Sequence, residues 1–287
     1  MTGMFLLVAP VLVDVGLIAF VVCTMAAAGM RLTVSQIVGP LRGGLLPIKA
    51  LIASFVLVPA LAFAIRAVLP LSDGLGIGLI LMATAGGASF LPLLVQVARA
   101  NVAVSVGVLV LLIGTTVFYL PLVLPFLLPG VQVSPLDIAR PLVLLMLLPL
   151  AIGLFVNRRL PQVAVRLQPT VSKIANLGLV IGLLAVLALH WRALLGTFGN
   201  GAFAASIILI AGGLVVGWLI SGADIAARPV LTLGTGARNI PAALVVAENN
   251  FEDPEVLVMC VLFTILSLVG LFIAARLLGR GKPAPSG

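Results

Sequence analysis

"GTGARNIPAALVVAENN" runs from Gly234 to Asn250, and its first eight residues set an arginine in an apolar run with glycines before it and a proline behind. Sliding the chain against itself by 149 residues (236 − 87) lays "GASFLPLLVQVARAN", Gly87 to Asn101, on "GARNIPAALVVAENN", Gly236 to Asn250. Gly87, Ala88, Pro92, Val97, Ala98 and Asn101 match Gly236, Ala237, Pro241, Val246, Ala247 and Asn250. Identities of Ala and Val weigh little in a chain this apolar. A shared Gly-Ala followed by Pro in the middle of an apolar run weighs more, because glycine loosens a helix and proline cannot donate to it.

Working outward, hydrophobic residues make up 62% of the 287 and charged residues 8%. Mean hydropathy is +1.35. That is too little charge to cover a water-soluble domain of this length. Apolar runs of about twenty residues recur, each long enough to cross a roughly 30 Å hydrocarbon layer. They are too long and unbroken for barrel strands, so the fold class is all-α and polytopic in a lipid bilayer. We place about nine spans, near 12–32, 48–69, 75–98, 102–128, 138–157, 172–191, 203–222, 227–248 and 255–278. Met4 to Val13 is apolar but short of a span. The two matching segments fall in spans three and eight, an odd number apart, so they cross in opposite directions. Paired interrupted helices in inverted orientation are the sequence sign of a secondary transporter with its site near the midplane. The chain reads as a single transporter domain, 1–287, with repeats near 12–130 and 136–278 and a cytoplasmic tail at 279–287.

Charge sets the orientation. With the N-terminus outside, the inner loops hold Arg31, Arg42, Lys49, Arg99, Arg158, Arg159, Arg166, Lys173, Arg228, Arg276, Arg280 and Lys282. The outer loops hold Arg66, Arg140 and Arg192. Twelve against three favours an outer N-terminus and a cytoplasmic C-terminus, in an inner or plasma membrane. The net charge of +8 is scattered between apolar runs, with no basic stripe and no interleaved aromatics, so nucleic acid is not a partner. No basic region precedes the first apolar run, so a cleaved signal peptide is not expected. Cys23 and Cys260 lie far apart with no CxxC, and no metal site or cofactor is indicated. "GTGARN" and "GLGIGL" (Gly74 to Leu79) fail as dinucleotide motifs, for neither follows a strand. HExxH, GxSxG and paired intramembrane aspartates do not occur, which weighs against a membrane-embedded enzyme; a gated channel or sensor on the same fold is the other rival. His190, beside Trp191 and Arg192, reads as interfacial. Asp14 lies seventeen residues before Arg31, about 26 Å along a helix, which places it near the outer surface in a first helical turn, where the dipole favours a carboxylate.

These segments resemble the bile acid:sodium symporter family. "AAAGMRLTVSQ" (Ala26 to Gln36) is similar to that family's "FGMGLTL", and "IASFVLVPALA" (Ile52 to Ala62) to its proline-bearing third helix. "AGGASF…ARANVAVSV" (Ala85 to Val106) is similar to "PGGTASN…ARGNVALSV", and "GTGARNIPAAL" falls on the second crossover. The likeness runs from about Ala26 to the end and starts at the family's second helix, which gives nine helices instead of ten. It implies a core of spans two to four and seven to nine, with crossed broken helices, and a panel of spans one, five and six that rocks against it. The substrate it implies is a small organic anion.

The departures from that pattern are specific. The family's sodium-binding Ser-Asn pair falls on Phe90-Leu91, its shared glutamate on Gly234, its crossover glutamine on Arg238, its third-helix glutamine on Ser54, and a later hydroxyl near Leu109. The chain is therefore expected to lack the sodium sites, which leaves facilitated exchange, proton coupling and residual sodium dependence open as driving forces. A guanidinium keeps its proton in a protein, and at mid-membrane it costs roughly 2.5–3.5 kcal/mol or more unless paired. Arg238 is ten residues from both Arg228 and Glu248, about 15 Å from either end of its span. Its charge is expected to stand where sodium would stand, bonding half-helix carbonyls and Ser89 across the crossing and attracting the anion; a purely structural cap is the plainer role. Gly87, Ser89, Arg238 and Asn239 are the candidate crossover residues. Thr235 and Ser54 lie near them, and Asn176 in span six is a polar residue able to face the cavity.

Overall fold

The computed structural model describes residues 2–32, 44–128, 134–191, 196 and 199–280, with side chains from residue 10 onward. Arg42, Arg192, Lys282, the end of the Ala26–Gln36 segment and the tail beyond Arg280 lie outside the described residues. The chain is helical: α1 (Thr2–Arg31), α2 (Leu46–Val68), α3 (Asp73–Thr84), α4 (Leu91–Val97), α5 (Val102–Leu127), α6 (Pro135–Arg159), α7 (Pro161–Leu189), α8 (Ala202–Ser221), α9 (Arg228–Gly236), α10 (Ile240–Asn250) and α11 (Pro254–Gly279). Among the described residues seven helices are long and apolar enough to cross a membrane: α1 from Pro10, then α2, α5, α6, α7, α8 and α11. The two remaining spans read from the sequence are interrupted, one as α3 and α4, the other as α9 and α10.

Three sequence expectations are corrected. The apolar stretch before Val13 is no separate piece: α1 is one 30-residue helix that begins at Thr2 with Pro10 inside it. Asp14 is therefore well inside α1, and no acidic residue occupies its first turn, so the dipole does not account for it. The sixth span was placed at 172–191, yet α7 starts at Pro161. A hydropathy window sees only the apolar part of a helix. The polar first turns of α7, with Arg166 and Gln168, continue it on the far side of that window, and proline at the first position suits the start.

Two packing groups follow from the side chains. Helix α1 lies along α7 and α6, while α2, α3, α5, α8, α9 and α11 pack on one another, with α4 against α5 and α11. The first group is joined by small residues. A Cβ on Gly29 would come within 2.3 Å of the Leu150 carbonyl, and one on Gly153 within 2.3 Å of the Ala26 carbonyl. In lipid, where apolar burial gives helices little reason to associate, this close backbone approach supplies the contact. Helix α3 is deeply enclosed, with Leu79 to Thr84 wholly buried. It packs against α2, α5 and α11, which carries its C-terminal end to the interior.

Candidate functional site

The site begins with a proline in α2. The helix widens to a π turn over Ala53–Leu57, and the Val58 N–H donates to the Ala53 carbonyl instead of that of Ser54. Within the wider turn the Ser54 carbonyl would need the N–H of residue 59, and in ordinary α geometry the Phe55 carbonyl would need it too. Residue 59 is proline and has none. Two carbonyls are thus freed inside the protein, and each finds an outside donor. The Tyr119 hydroxyl donates to the Phe55 carbonyl at 2.7 Å, with the two rings tilted at 51° to each other and 4.8 Å between centroids. The Arg238 guanidinium donates to the Ser54 carbonyl through Nη2 at 3.1 Å.

The same guanidinium closes both broken helices. The last carbonyls of any helix lack intrahelical donors and carry the negative end of its dipole. At the end of α3, Arg238 Nε donates to the Met82 carbonyl at 3.1 Å, and Nη2 donates also to that of Ala83. At the end of α9, Nη1 donates to the Thr235 carbonyl at 3.2 Å. Four N–H···O bonds are made, of the five that a guanidinium can give. The side chain is 1% exposed. Its charge is met entirely by backbone oxygens: among the described residues no carboxylate pairs with it. Two helix C-termini and a π turn thus hold one cation, the arrangement in which unwound carbonyls and half-helix ends bind a coupling ion in carriers of this kind.

The two breaks meet directly. Gly86 and Arg238 form an isolated antiparallel bridge, and the Asn239 N–H donates to the Ala85 carbonyl at 2.8 Å. The Gly86 carbonyl accepts from the Thr116 hydroxyl of α5 at 2.7 Å. Gly87 turns the chain with φ of +90°, where a Cβ would lie 2.7 Å from the Ile113 nitrogen of α5. Beyond the breaks, α4 opens at Leu91 and α10 at Ile240, 149 residues apart, as the repeat requires. Pro92 and Pro241 are early residues of these second half-helices, where a missing N–H costs nothing. The prolines start the second halves, and the breaks lie before them. Asn239 caps α10, its Oδ1 accepting from the Ala242 N–H at 3.1 Å.

The structure brings together Ser54, Thr235, Arg238, Asn239 and the backbone around Gly87. Ser54 and Thr235 contribute through their carbonyls, not their hydroxyls. Ser89 is not bonded to Arg238. Its hydroxyl is buried without a partner, as are those of Ser54 and Thr232 and the Asn239 amide nitrogen. Asn176 is exposed on α7 and is not among the groups that meet the guanidinium. Sequence reasoning missed Tyr119, Thr116 and the carbonyls of Met82 and Ala83. The signal for Tyr119 was Pro59, four residues after Phe55, which announces a carbonyl in need of a donor.

The crossing carbonyls are taken by the guanidinium. The position of the expected shared carboxylate, Gly234, faces Leu91, whose Cδ2 would be 3.4 Å from an added Cβ, and Val108, 3.7 Å from it. Leu91 is completely buried and Val108 nearly so.

Comparison with known proteins agrees with this architecture. A curated relative from Arabidopsis thaliana, "Probable sodium/metabolite cotransporter BASS1, chloroplastic", is 28% identical over 265 residues. The alignment takes in 88% of this chain and 64% of the relative, so the chain spans somewhat under two thirds of that protein's length. Residues 17–197, which include the first crossover, match the family model described as "Sodium Bile acid symporter family". With well over half its length matched to that model, this polytopic helical chain belongs to the sodium bile acid symporter family, a family of transporters and not of enzymes.

Proposed function

We propose that this chain is a secondary carrier that moves a small organic anion across the membrane by alternating access, with the Arg238 guanidinium in the place of a coupling sodium. The observation that carries this reading is the set of four carbonyls, from α2, α3 and α9, gathered on one buried guanidinium. A sodium ion would hold such carbonyls only while bound; a covalent cation holds them permanently. The anion would be met by what the crossing leaves unpaired: the fifth guanidinium N–H, the Asn239 amide and the Ser89 and Ser54 hydroxyls. The moving parts would be a core of α2–α5 and α8–α11 and a panel of α1, α6 and α7; the panel helices pack on one another, and α10 touches helices of both sets.

In proteoliposomes, counterflow of an organic anion that stabilises the purified protein is expected to be equal in sodium and in choline at the same ionic strength. A saturable, millimolar sodium dependence would overturn the reading. Absence of saturable counterflow with every stabilising anion would favour a channel or a sensor.

The orientation has its own check. From the twelve inner and three outer basic residues, a C-terminal fusion to a reporter that works only in the cytoplasm is expected to be active. A silent fusion, together with an active periplasmic reporter at the same position, would reverse the topology and the assignment of nine crossings.

A further inference from the structure

Helix α8 ends at Ser221, and two cations close that end. Lys49, near the start of α2, reaches across and donates through Nζ to the Ser221 carbonyl at 2.9 Å. Arg228, the first residue of α9, donates through Nε to the Ser221 hydroxyl at 3.2 Å and through Nη2 to the Gly222 carbonyl at 2.6 Å. A helix C-terminus favours a cation, but it offers only roughly half a unit of negative charge. Two full charges gathered on one helix end exceed that. The carboxylate of the intervening loop, Asp224, accepts instead from the Ala227 N–H at 2.9 Å, just before α9. Among the described residues neither cation pairs with a carboxylate. Each keeps N–H groups beyond these bonds, since an ammonium has three and a guanidinium five.

The surface beneath the pair is apolar and faces outward. On α2 the exposed residues Ile48, Ile52 and Val56 follow one another at helical spacing, and on α8 Ile207, Val215 and Trp218 do the same. The two helices pack on each other. Lys49 follows Ile48 at the end of the first stripe. The Arg228 guanidinium lies over the Trp218 ring at the end of the second, 5.1 Å from its centroid. Tryptophan at the end of a lipid-facing stripe marks the depth of the headgroups.

We propose that Lys49 and Arg228 form a binding site for the phosphate of an anionic membrane lipid, whose acyl chains run along the α2 and α8 stripes. The phosphate supplies the negative charge that the end of α8 lacks. A guanidinium holds it as a fork and an ammonium as a point charge. A free phosphate would satisfy the cations too, but the apolar stripes and the tryptophan select a lipid. Both cations are among the twelve basic residues counted on the inner side, and the cytoplasmic leaflet is where anionic lipids gather.

The test is the melting temperature of the purified full chain in a neutral detergent, titrated with phosphatidylglycerol, with phosphatidylcholine and with glycerol 3-phosphate. Phosphatidylglycerol is expected to raise it saturably, by about 5 °C at about a hundred times the half-saturating concentration. Phosphatidylcholine, which is zwitterionic, and glycerol 3-phosphate, which has no chains, are expected to leave it unchanged. Lys49→Gln with Arg228→Gln is expected to lose the rise. The double variant also uncaps α8, so its starting temperature is lower in every condition; the rise is the readout. If it does not fold, Lys49→Gln alone decides, with the half-saturating concentration raised about tenfold. Arg166→Gln with Arg276→Gln removes the same charge from two exposed arginines, on α7 and α11, and is expected to respond like the parent. An equal rise with phosphatidylcholine overturns the proposal. So does a parent-like response in the Lys49 and Arg228 variants, or loss of the rise in the Arg166 and Arg276 control. A rise with glycerol 3-phosphate as large as with the lipid makes the occupant a free anion and overturns the lipid assignment. Nothing is transported in these measurements, so they stand apart from the counterflow that decides the carrier reading.

Discussion

Arg238→Ala is expected to lower the melting temperature sharply and to abolish anion counterflow. The substitution takes the donor from the carbonyls of Ser54, Met82, Ala83 and Thr235 at once, in the most enclosed part of the molecule. A buried group left unsatisfied costs about 1–3 kcal/mol. Water entering the vacated space would recover part of this, so the low end applies, about 4 kcal/mol for the four at about 1 kcal/mol each. Arg238→Lys keeps the charge but offers one nitrogen and no planar fork to carbonyls on three separate segments, so it rescues only in part. Arg238→Gln removes the charge and restores the residue that the resembled family has at this position. It does not restore a sodium site alone, and adding Gly234→Glu is not enough, because the new carboxylate would face Leu91 and Val108. Arg238→Gln with Gly234→Glu and Leu91→Asn is the combination expected to be stabilised by sodium over choline. If Arg238→Ala melts and transports like the parent, the guanidinium is a passenger. If it loses stability while the surviving protein transports normally, the arginine is a structural cap and the anion is held elsewhere.

Gly87→Ala is expected to be nearly as damaging, although it adds one methyl group. At φ of +90° an L-residue is strained, by about 1–3 kcal/mol. The added Cβ would also lie 2.7 Å from the Ile113 nitrogen and 3.0 Å from the Leu112 carbonyl carbon. Both are backbone atoms of α5, which cannot turn aside as a side chain can. The break between α3 and α4 must then lift off α5, and with it go the Thr116 bond to the Gly86 carbonyl and the bridge to Arg238. Overpacking of this kind adds about 1–3 kcal/mol. The control is Gly114→Ala, one residue past Ile113 on the same helix, where an added Cβ meets nothing within 4 Å. It is expected to melt close to the parent. If both variants melt alike, the break does not lie against α5 as described.

Much of this arrangement was legible because it is written in residue types with few alternatives. The Gly-Ala-Pro repeat located both interrupted helices, and the register of 149 residues is kept by the starts of α4 and α10. Arg238 was expected at mid-span from its distance to Arg228 and Glu248, and in the structure it is 1% exposed. What was not legible is carried by the backbone. Ser54 was singled out for its side chain, whereas its carbonyl does the bonding, and every residue has a carbonyl. The π turn that exposes it leaves no composition signal beyond Pro59. Ser89 was expected to bond the guanidinium, but the carbonyls of α2, α3 and α9 already take four of its N–H groups. Asp14 was placed in a first helical turn by counting from Arg31, but α1 begins twelve residues before it, at Thr2.

The central claim is that a covalent cation occupies the crossing. Binding of radiolabelled sodium to the purified parent protein tests it most directly, with choline replacing other cations and excess unlabelled sodium defining the specific signal. The account predicts no saturable sodium binding by the parent and the appearance of such binding in the Arg238→Gln, Gly234→Glu, Leu91→Asn combination. Saturable, stoichiometric binding by the parent, with Arg238 in place, would contradict it.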